Sequence, residues 1–280
     1  MYYYYLIALA IVPVILLCKY IYNKDVDKEP KKLLKRVFVW GMLAVIPILL
    51  LELGIDKVIS TNDNSSLLQL FAATFIGVAL IEEGFKWLVV YYAVYKHREF
   101  NHAYDGIVYS VYASLGFAVV ENFFYVINGG FGVGLLRAFV TVPAHACDAV
   151  LMGYFLGRSK QAEFNNNQVA LNRNMALSLL IPITAHALYD YFIFTQKPLF
   201  TIIFFMFTIW LFIICLKLIK KVSLIRSNFD GTPIMSSPNP TILSNIKRAN
   251  PSIGFWYTFF IISVLSGILF FIGLTLNSII

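Results

Sequence analysis

Charge is what this 280-residue chain has least of. Asp, Glu, Lys and Arg make up 13% of it, against 59% hydrophobic residues, where a water-soluble domain carries roughly 25% charge. That shortfall excludes a soluble globular protein. The net charge of +7 sits in short connecting segments, which excludes a nucleic-acid footprint as well. Cysteine is scarce too: Cys18, Cys147 and Cys215 all lie in apolar stretches without CxxC spacing. They read as core thiols, neither a metal ribbon nor an extracellular disulfide framework. Residues 1–17 lack the basic n-region of a secretory signal. Leu17 also stands where a lipoprotein cleavage site needs a small residue, so the first apolar run reads as a spanning helix. There is no ten-residue dyad alternation of a membrane β-barrel, no internal repeat and no HExxH helix. The run Asn128-Gly129-Gly130-Phe131-Gly132 lacks the preceding strand and spacing of a phosphate loop and reads as a tight turn.

What the chain does have is apolar length. A helix needs ~20 mostly apolar residues to cross ~30 Å of hydrocarbon, and eight stretches qualify: about 2–22, 37–54, 71–95, 106–127, 132–157, 176–194, 198–219 and 253–276. The expected fold is therefore all-α, a polytopic transmembrane bundle of about eight helices. Eighteen of the 22 Lys and Arg residues fall on one side of alternating spans, with Lys57 and Lys197 opposite and Lys86 and Arg137 inside helices. This predicts a multi-pass plasma-membrane protein with both termini extracytoplasmic. Gly153 and Gly157 form a GxxxG face suited to close helix packing. The Ser-, Asn- and Pro-rich segment 222–252 reads as a flexible cytoplasmic linker. Three regions follow: 1–70 with two helices, 71–194 with four, and 195–280 with the last two and the linker.

The middle region holds the chemistry. A charged side chain at the bilayer centre costs ~2.5–3.5 kcal/mol on insertion scales, so unpaired examples are rare. Yet Glu82, Glu83, Glu121, His145 and His186 occur there on four consecutive helices. Lys86 follows Glu82 and Glu83 at i+4 and i+3, on their side of the helix, and adjacent carboxylates in low dielectric do not both ionise freely. One of them paired to Lys86 leaves the other as a general base. Asn122 follows Glu121 and is a candidate oxyanion donor. Asp148 and Asp190 stand at i+3 and i+4 from His145 and His186, where a carboxylate orients an imidazole. Arg137 begins the fifth helix, and Pro143 and Pro182 free carbonyls near the histidines. At 1.5 Å of rise per residue, the four groups of ionisable residues lie at similar depth toward the outer leaflet, as a shared wet cavity requires.

In order, Glu82-Glu83-x-x-Lys86, Gly116-Phe117-x-x-x-Glu121-Asn122, Arg137 with Pro143-x-His145, and His186-x-x-x-Asp190 resemble the PrsW family of intramembrane proteases. That family is distantly similar to CAAX prenyl endopeptidases and bacterial Abi proteins. The chain departs from the CAAX pattern: Lys86 replaces an arginine one position later, and Thr141 stands four residues before His145 where those enzymes have Phe. The resemblance implies cleavage of a membrane-embedded protein substrate near the extracytoplasmic side, typically an anti-sigma factor in stress signalling. Two schemes suit the residues. In one, His145, His186 and a glutamate (Glu121 or Glu83) hold zinc while Glu82 is the base. In the other no metal is used, Glu82 or Glu83 with His145 deprotonates water, and His186 and Asn122 donate to the oxyanion. Two different classes of function compete with proteolysis: a proton- or ion-coupled secondary transporter, where such residues form a relay, and a non-catalytic membrane adaptor.

Overall fold

In a computed structural model of the chain, residues 2–59, 61–62, 65–225 and 227–234 are described. Eight α-helices run through them: α1 (Tyr2–Lys24), α2 (Lys31–Asp56), α3 (Leu67–Ala72), α4 (Leu80–Val90), α5 (Asp105–Leu136), α6 (Val142–Phe164), α7 (Gln168–Phe194) and α8 (Pro198–Val222). Three π-helical stretches, Ala73–Ala79, Tyr91–Tyr95 and Arg137–Thr141, join or extend them without a break in the rod. Six of the resulting continuous segments are long and apolar enough to cross a membrane. One of them, Asp105–Phe164, has 60 residues, roughly 90 Å at 1.5 Å per residue and far too long for one passage. It folds back at Gly130, whose φ of 73° and ψ of −164° interrupt the helix at the turn expected there. Seven crossings therefore lie among the described residues; the expected eighth, 253–276, lies outside them.

Local signals set the helix ends. Ser66 and Gln69 form a reciprocal capping box at the start of α3, and the Asn167 side chain accepts from the Ala170 amide at the start of α7. Ahead of Pro143, which has no N–H to give, the chain closes wider i→i+5 turns: the Val142 amide donates to the Arg137 carbonyl.

The first half of α5 is the hub. From Asp105 to Ala118 nearly every side chain is buried, enclosed by α1, α2 and α6 in one apolar core that includes Val14, Leu17, Val37, Ile107, Val111, Leu115, Val150 and Leu156. Helix–helix contact here is backbone on backbone. A methyl at Gly153 would stand 2.2 Å from the Gly106 carbonyl oxygen, and one at Gly116 would stand 2.1 Å from that of Phe38. These small-residue seams lock α6 and α2 onto α5, and so fix where Glu121 and His145 point.

At the end of the bundle holding the α1–α2 connection, the loops fold inward. Asp25 and Glu29 are buried, and desolvation pushes their carboxyl groups up to about 7 and about 8. The segment expected to be a flexible linker begins as a docked turn. Ser227 bridges Pro233, the Phe229 amide donates to the Asn101 carbonyl at 2.9 Å, and the Phe229 ring packs on Phe100 and Phe164. Among the described residues this part of the 222–252 segment is held, not free.

Candidate active site

Helix α4 carries the centre. Because Lys86 lies one turn beyond Glu82 and Glu83, its Nζ reaches both carboxylates, Glu82 Oε2 and Glu83 Oε1, at 2.8 Å each. The expectation that one glutamate would stay free of the ammonium is corrected: Lys86 bridges the two. Its side chain and that of Glu83 are wholly buried, with the ammonium 4.3 Å from the Phe117 ring centroid, so burial and a π face add to the grip.

Helix α7 meets α4 through His186. Its Nδ1 lies 2.9 Å from Glu83 Oε1 and its Nε2 3.4 Å from Asp190 Oδ2, so the i+4 carboxylate does orient this ring. Held between two carboxylates, the imidazole is fixed in one orientation. His145 on α6 is held differently. Its Nε2 lies 3.0 Å from Glu121 Oε2 on α5, and its Nδ1 faces the Lys86 ammonium at 3.5 Å. Nδ1 therefore bears the lone pair and Nε2 the proton. Asp148, expected to steady His145 from i+3, makes no hydrogen bond to it; its Oδ1 is buried without a partner. The ring turns toward Glu121 on α5, and Ser114 of α5 donates to the His145 carbonyl at 3.0 Å, holding the two helices together at this point.

Glu121 is also gripped by Arg137, whose Nη2 lies 2.8 Å from Oε2. Arg137 stacks over Tyr125 at 4.1 Å and donates through Nε to Asn122 Oδ1 at 2.8 Å. The Asn122 amide, read from the sequence as an oxyanion donor, points away from the centre and donates to the Ala10 carbonyl of α1 at 3.2 Å. Asn122 therefore ties α1 to the Arg137–Glu121 pair and has no donor left for a reacting oxygen.

These groups flank a cavity of about 410 Å³ lined by Glu82, Glu121, Arg137, His145, Asp148, His186 and Asp190, with apolar walls that include Ile48, Phe117 and Tyr189. Glu83 and Lys86 lie behind the wall. One residue had no signal in the sequence pattern: Glu52, near the end of α2, also lines the cavity, and its Oε1 is buried without a hydrogen-bond partner. No histidine stands at helical spacing from it, and Asp56 at i+4 ends the helix at the edge of the apolar stretch. Its depth inside that stretch was the main clue available. Leu49, Glu52, Val78 and Phe194 also line a second cavity of about 330 Å³ that continues to Asp56 and Thr61 at the C-terminal end of α2.

One ligand atom from each of Glu82, Glu83, His145 and His186 lies within 4.8 Å of the others. Two imidazoles and two carboxylates at that spacing suit a zinc ion, and the partnerless Glu83 Oε2 is a donor with nothing else to bind. Of the two glutamates read as a third ligand, Glu83 belongs to this group. Glu121 stands one step outside it, on the far nitrogen of His145.

Residues 29–216 match the family described as PrsW family intramembrane metalloprotease. Among curated relatives, the Protease PrsW of Oceanobacillus iheyensis is 36% identical over 218 residues, which is 78% of this chain and 96% of the relative. That of Bacillus subtilis is 35% identical over 187 residues, 66% of this chain and 81% of the relative. That of Clostridioides difficile is 31% identical over 221 residues, 77% and 90% respectively. No solved structure matches the chain.

Proposed function

The chain belongs to the PrsW family of intramembrane metalloproteases, and on that premise we propose that Glu82, Glu83, His145 and His186 form its catalytic centre. It is a multi-pass membrane peptidase. The observation that carries the assignment is the convergence of those four side chains from three helices to within 4.8 Å of one another, with Glu82, His145 and His186 lining one cavity and Glu83 directly behind its wall. A transporter relay does not require such a constellation.

A zinc ion held by His145, His186 and Glu83 would supply Lewis-acid polarisation of the scissile carbonyl and a more acidic water. The Lys86 ammonium lies in part of the same space, so its flexible stem has to swing aside for an ion to be held there. The residues divide the remaining work. Glu82, the member of the glutamate pair that faces the cavity, takes a proton from water as the water oxygen attacks the carbonyl carbon. It returns that proton to the amine nitrogen as the C–N bond breaks. Glu83 and Asp190 hold His186 in place, and Glu121 holds His145 in one tautomer. Arg137, on the cavity wall, supports the negative charge that develops on the carbonyl oxygen.

The substrate class is a membrane-bound protein, and an anti-sigma factor is the specific substrate that the resemblance implies. By the distribution of Lys and Arg, the connections at 25–30, 96–104 and 165–167 face the cytoplasm, and both termini and the cavity mouth face the other side. The test is cleavage of a membrane-anchored reporter by the purified protein in liposomes. Cleavage that stops on complete chelation, returns with Zn²⁺, and is absent from Glu82→Gln and His186→Ala supports the assignment. Cleavage by either variant at the wild-type rate removes it.

A further inference from the structure

At the opposite end of the bundle from the catalytic cavity, three further carboxylates and an imidazole are buried together. Asp25 follows α1, Glu29 precedes α2, His102 lies in the loop before α5, and Asp105 begins α5. All four are nine-tenths or more buried. One ligand atom from each of Asp25, His102 and Asp105 lies within 4.8 Å of the others, and the Glu29 carboxyl hydrogen-bonds to Asp105 and to the Tyr109 hydroxyl.

Ordinary structural roles explain only part of this. Asp105 Oδ2 accepts from the Asn101 and His102 amides, at 2.9 and 2.7 Å, as a carboxylate at a helix start does. Its Oδ1 is buried without a hydrogen-bond partner, 3.8 Å from His102 Nδ1. Asp25 has no capping duty, and neither of its carboxylate oxygens has a hydrogen-bond partner, although the residue is only 4% exposed. The cation that acts on it, Lys28, is exposed and donates to the backbone carbonyls of Tyr22 and Asp25 instead. Holding a carboxylate as an anion away from water without a partner costs several kcal/mol, a cost that these groups escape only by keeping their protons or by taking a cation among them.

We propose that Asp25, His102 and Asp105, with Glu29 beside them, form a second cation site that takes a divalent transition-metal ion of the zinc type. An imidazole with carboxylates selects such an ion over Ca²⁺ or Mg²⁺, which prefer oxygen donors alone. The ion clasps the end of α1, the α1–α2 connection and the start of α5. Tyr104, two residues after His102, already ties this loop to α1 through the Ile21 carbonyl, at 3.3 Å. Because α5 is the hub that carries Glu121, the clasp is structural support laid down far from the chemistry.

The test is metal stoichiometry of the full chain purified in detergent, with Zn²⁺ as the probe. Asp25→Asn is expected to carry one equivalent of zinc less than wild type, and His186→Ala, which disables the catalytic group, to keep the loop equivalent. Chelation of His186→Ala is expected to lower its unfolding midpoint by about 5 °C, with recovery on adding Zn²⁺. Asp25→Asn protein already has the lower midpoint and does not respond to Zn²⁺ through this site. Equal zinc content in wild type and Asp25→Asn overturns the proposal. If Asp25→Asn does not fold, a metal-free His186→Ala protein whose midpoint ignores Zn²⁺ overturns it as well. Neither result bears on whether Glu82 and His186 are catalytic.

Discussion

Glu83 and His186 stand 103 positions apart in the chain, yet their side chains meet at 2.9 Å, Glu83 Oε1 against His186 Nδ1. The same oxygen accepts from Lys86. Glu83 is therefore the joint between the ammonium of α4 and the imidazole of α7, while its neighbour Glu82 faces the cavity. That difference separates two otherwise identical substitutions.

Glu82→Gln is expected to lower kcat by about 10²–10⁴-fold, the usual worth of a positioned base, with a smaller loss of stability than Glu83→Gln, because Lys86 keeps its contact with Glu83. Glu83→Gln is expected to lower activity and also stability, by about 3–5 kcal/mol, because removing one partner of a buried pair strands the others. Thermal unfolding beside the reporter assay checks this. Equal midpoints for the two variants would contradict the division of roles.

Lys86→Met leaves two adjacent buried carboxylates facing each other. It is expected to destabilise the protein by about 3–5 kcal/mol. The double variant Lys86→Met with Glu82→Gln should regain part of that stability without regaining activity. A double-mutant cycle on unfolding midpoints reads the coupling; additive effects would mean the ion pairs contribute nothing.

Glu121→Gln removes the acceptor that fixes the tautomer of His145 and unseats Arg137. A loss of about 10–100-fold in zinc affinity or in kcat/KM is expected, as for other residues that orient a ligand histidine. Asp148→Asn, which touches no nitrogen of His145, should lose far less. Isothermal titration with Zn²⁺ ranks the two variants, and a larger loss for Asp148→Asn would reverse the assignment.

Glu52→Gln replaces a carboxyl on the wall shared by the catalytic cavity and the second cavity beside it. Its expected signature is a change in KM larger than the change in kcat, which steady-state kinetics on a membrane-anchored reporter resolves. A pure kcat effect would place Glu52 among the groups that act on the reacting atoms.

Gly153→Ala puts a methyl 2.2 Å from the Gly106 carbonyl oxygen. Backbone cannot step aside as a side chain can, so the helices must part. A cost of about 3 kcal/mol is expected, at the upper end of overpacking effects, together with reduced activity because α5 and α6 carry Glu121 and His145. An unchanged midpoint would mean the seam tolerates separation.

Much of this arrangement was legible along the chain. Ionisable residues in apolar stretches marked the cavity because burying charge is costly. Pairs three or four apart were readable wherever both partners share one helix: Lys86 with Glu82 and Glu83, and His186 with Asp190. The same rule misled at His145, since Asp148 has the right spacing but the ring turns to Glu121 on α5. Asn122 misled for a similar reason, its amide being drawn to α1. Glu52 has Asp56 at i+4 and His102 has Asp105 at i+3, but those intervals fall at a helix end and in a loop and carried little signal, and Asp25 meets its company only through the fold.

The chain by itself determined that this is a membrane protein, where its helices lie, and which side chains are too costly to bury without purpose, because these follow from composition and a period of 3.6 residues. Only the tertiary structure decided which imidazole meets which carboxylate, and that a second acidic group gathers at the other end. Those pairings depend on how helices rotate against one another. Close backbone contacts such as Gly153 on Gly106 set that rotation, and no local rule encodes it.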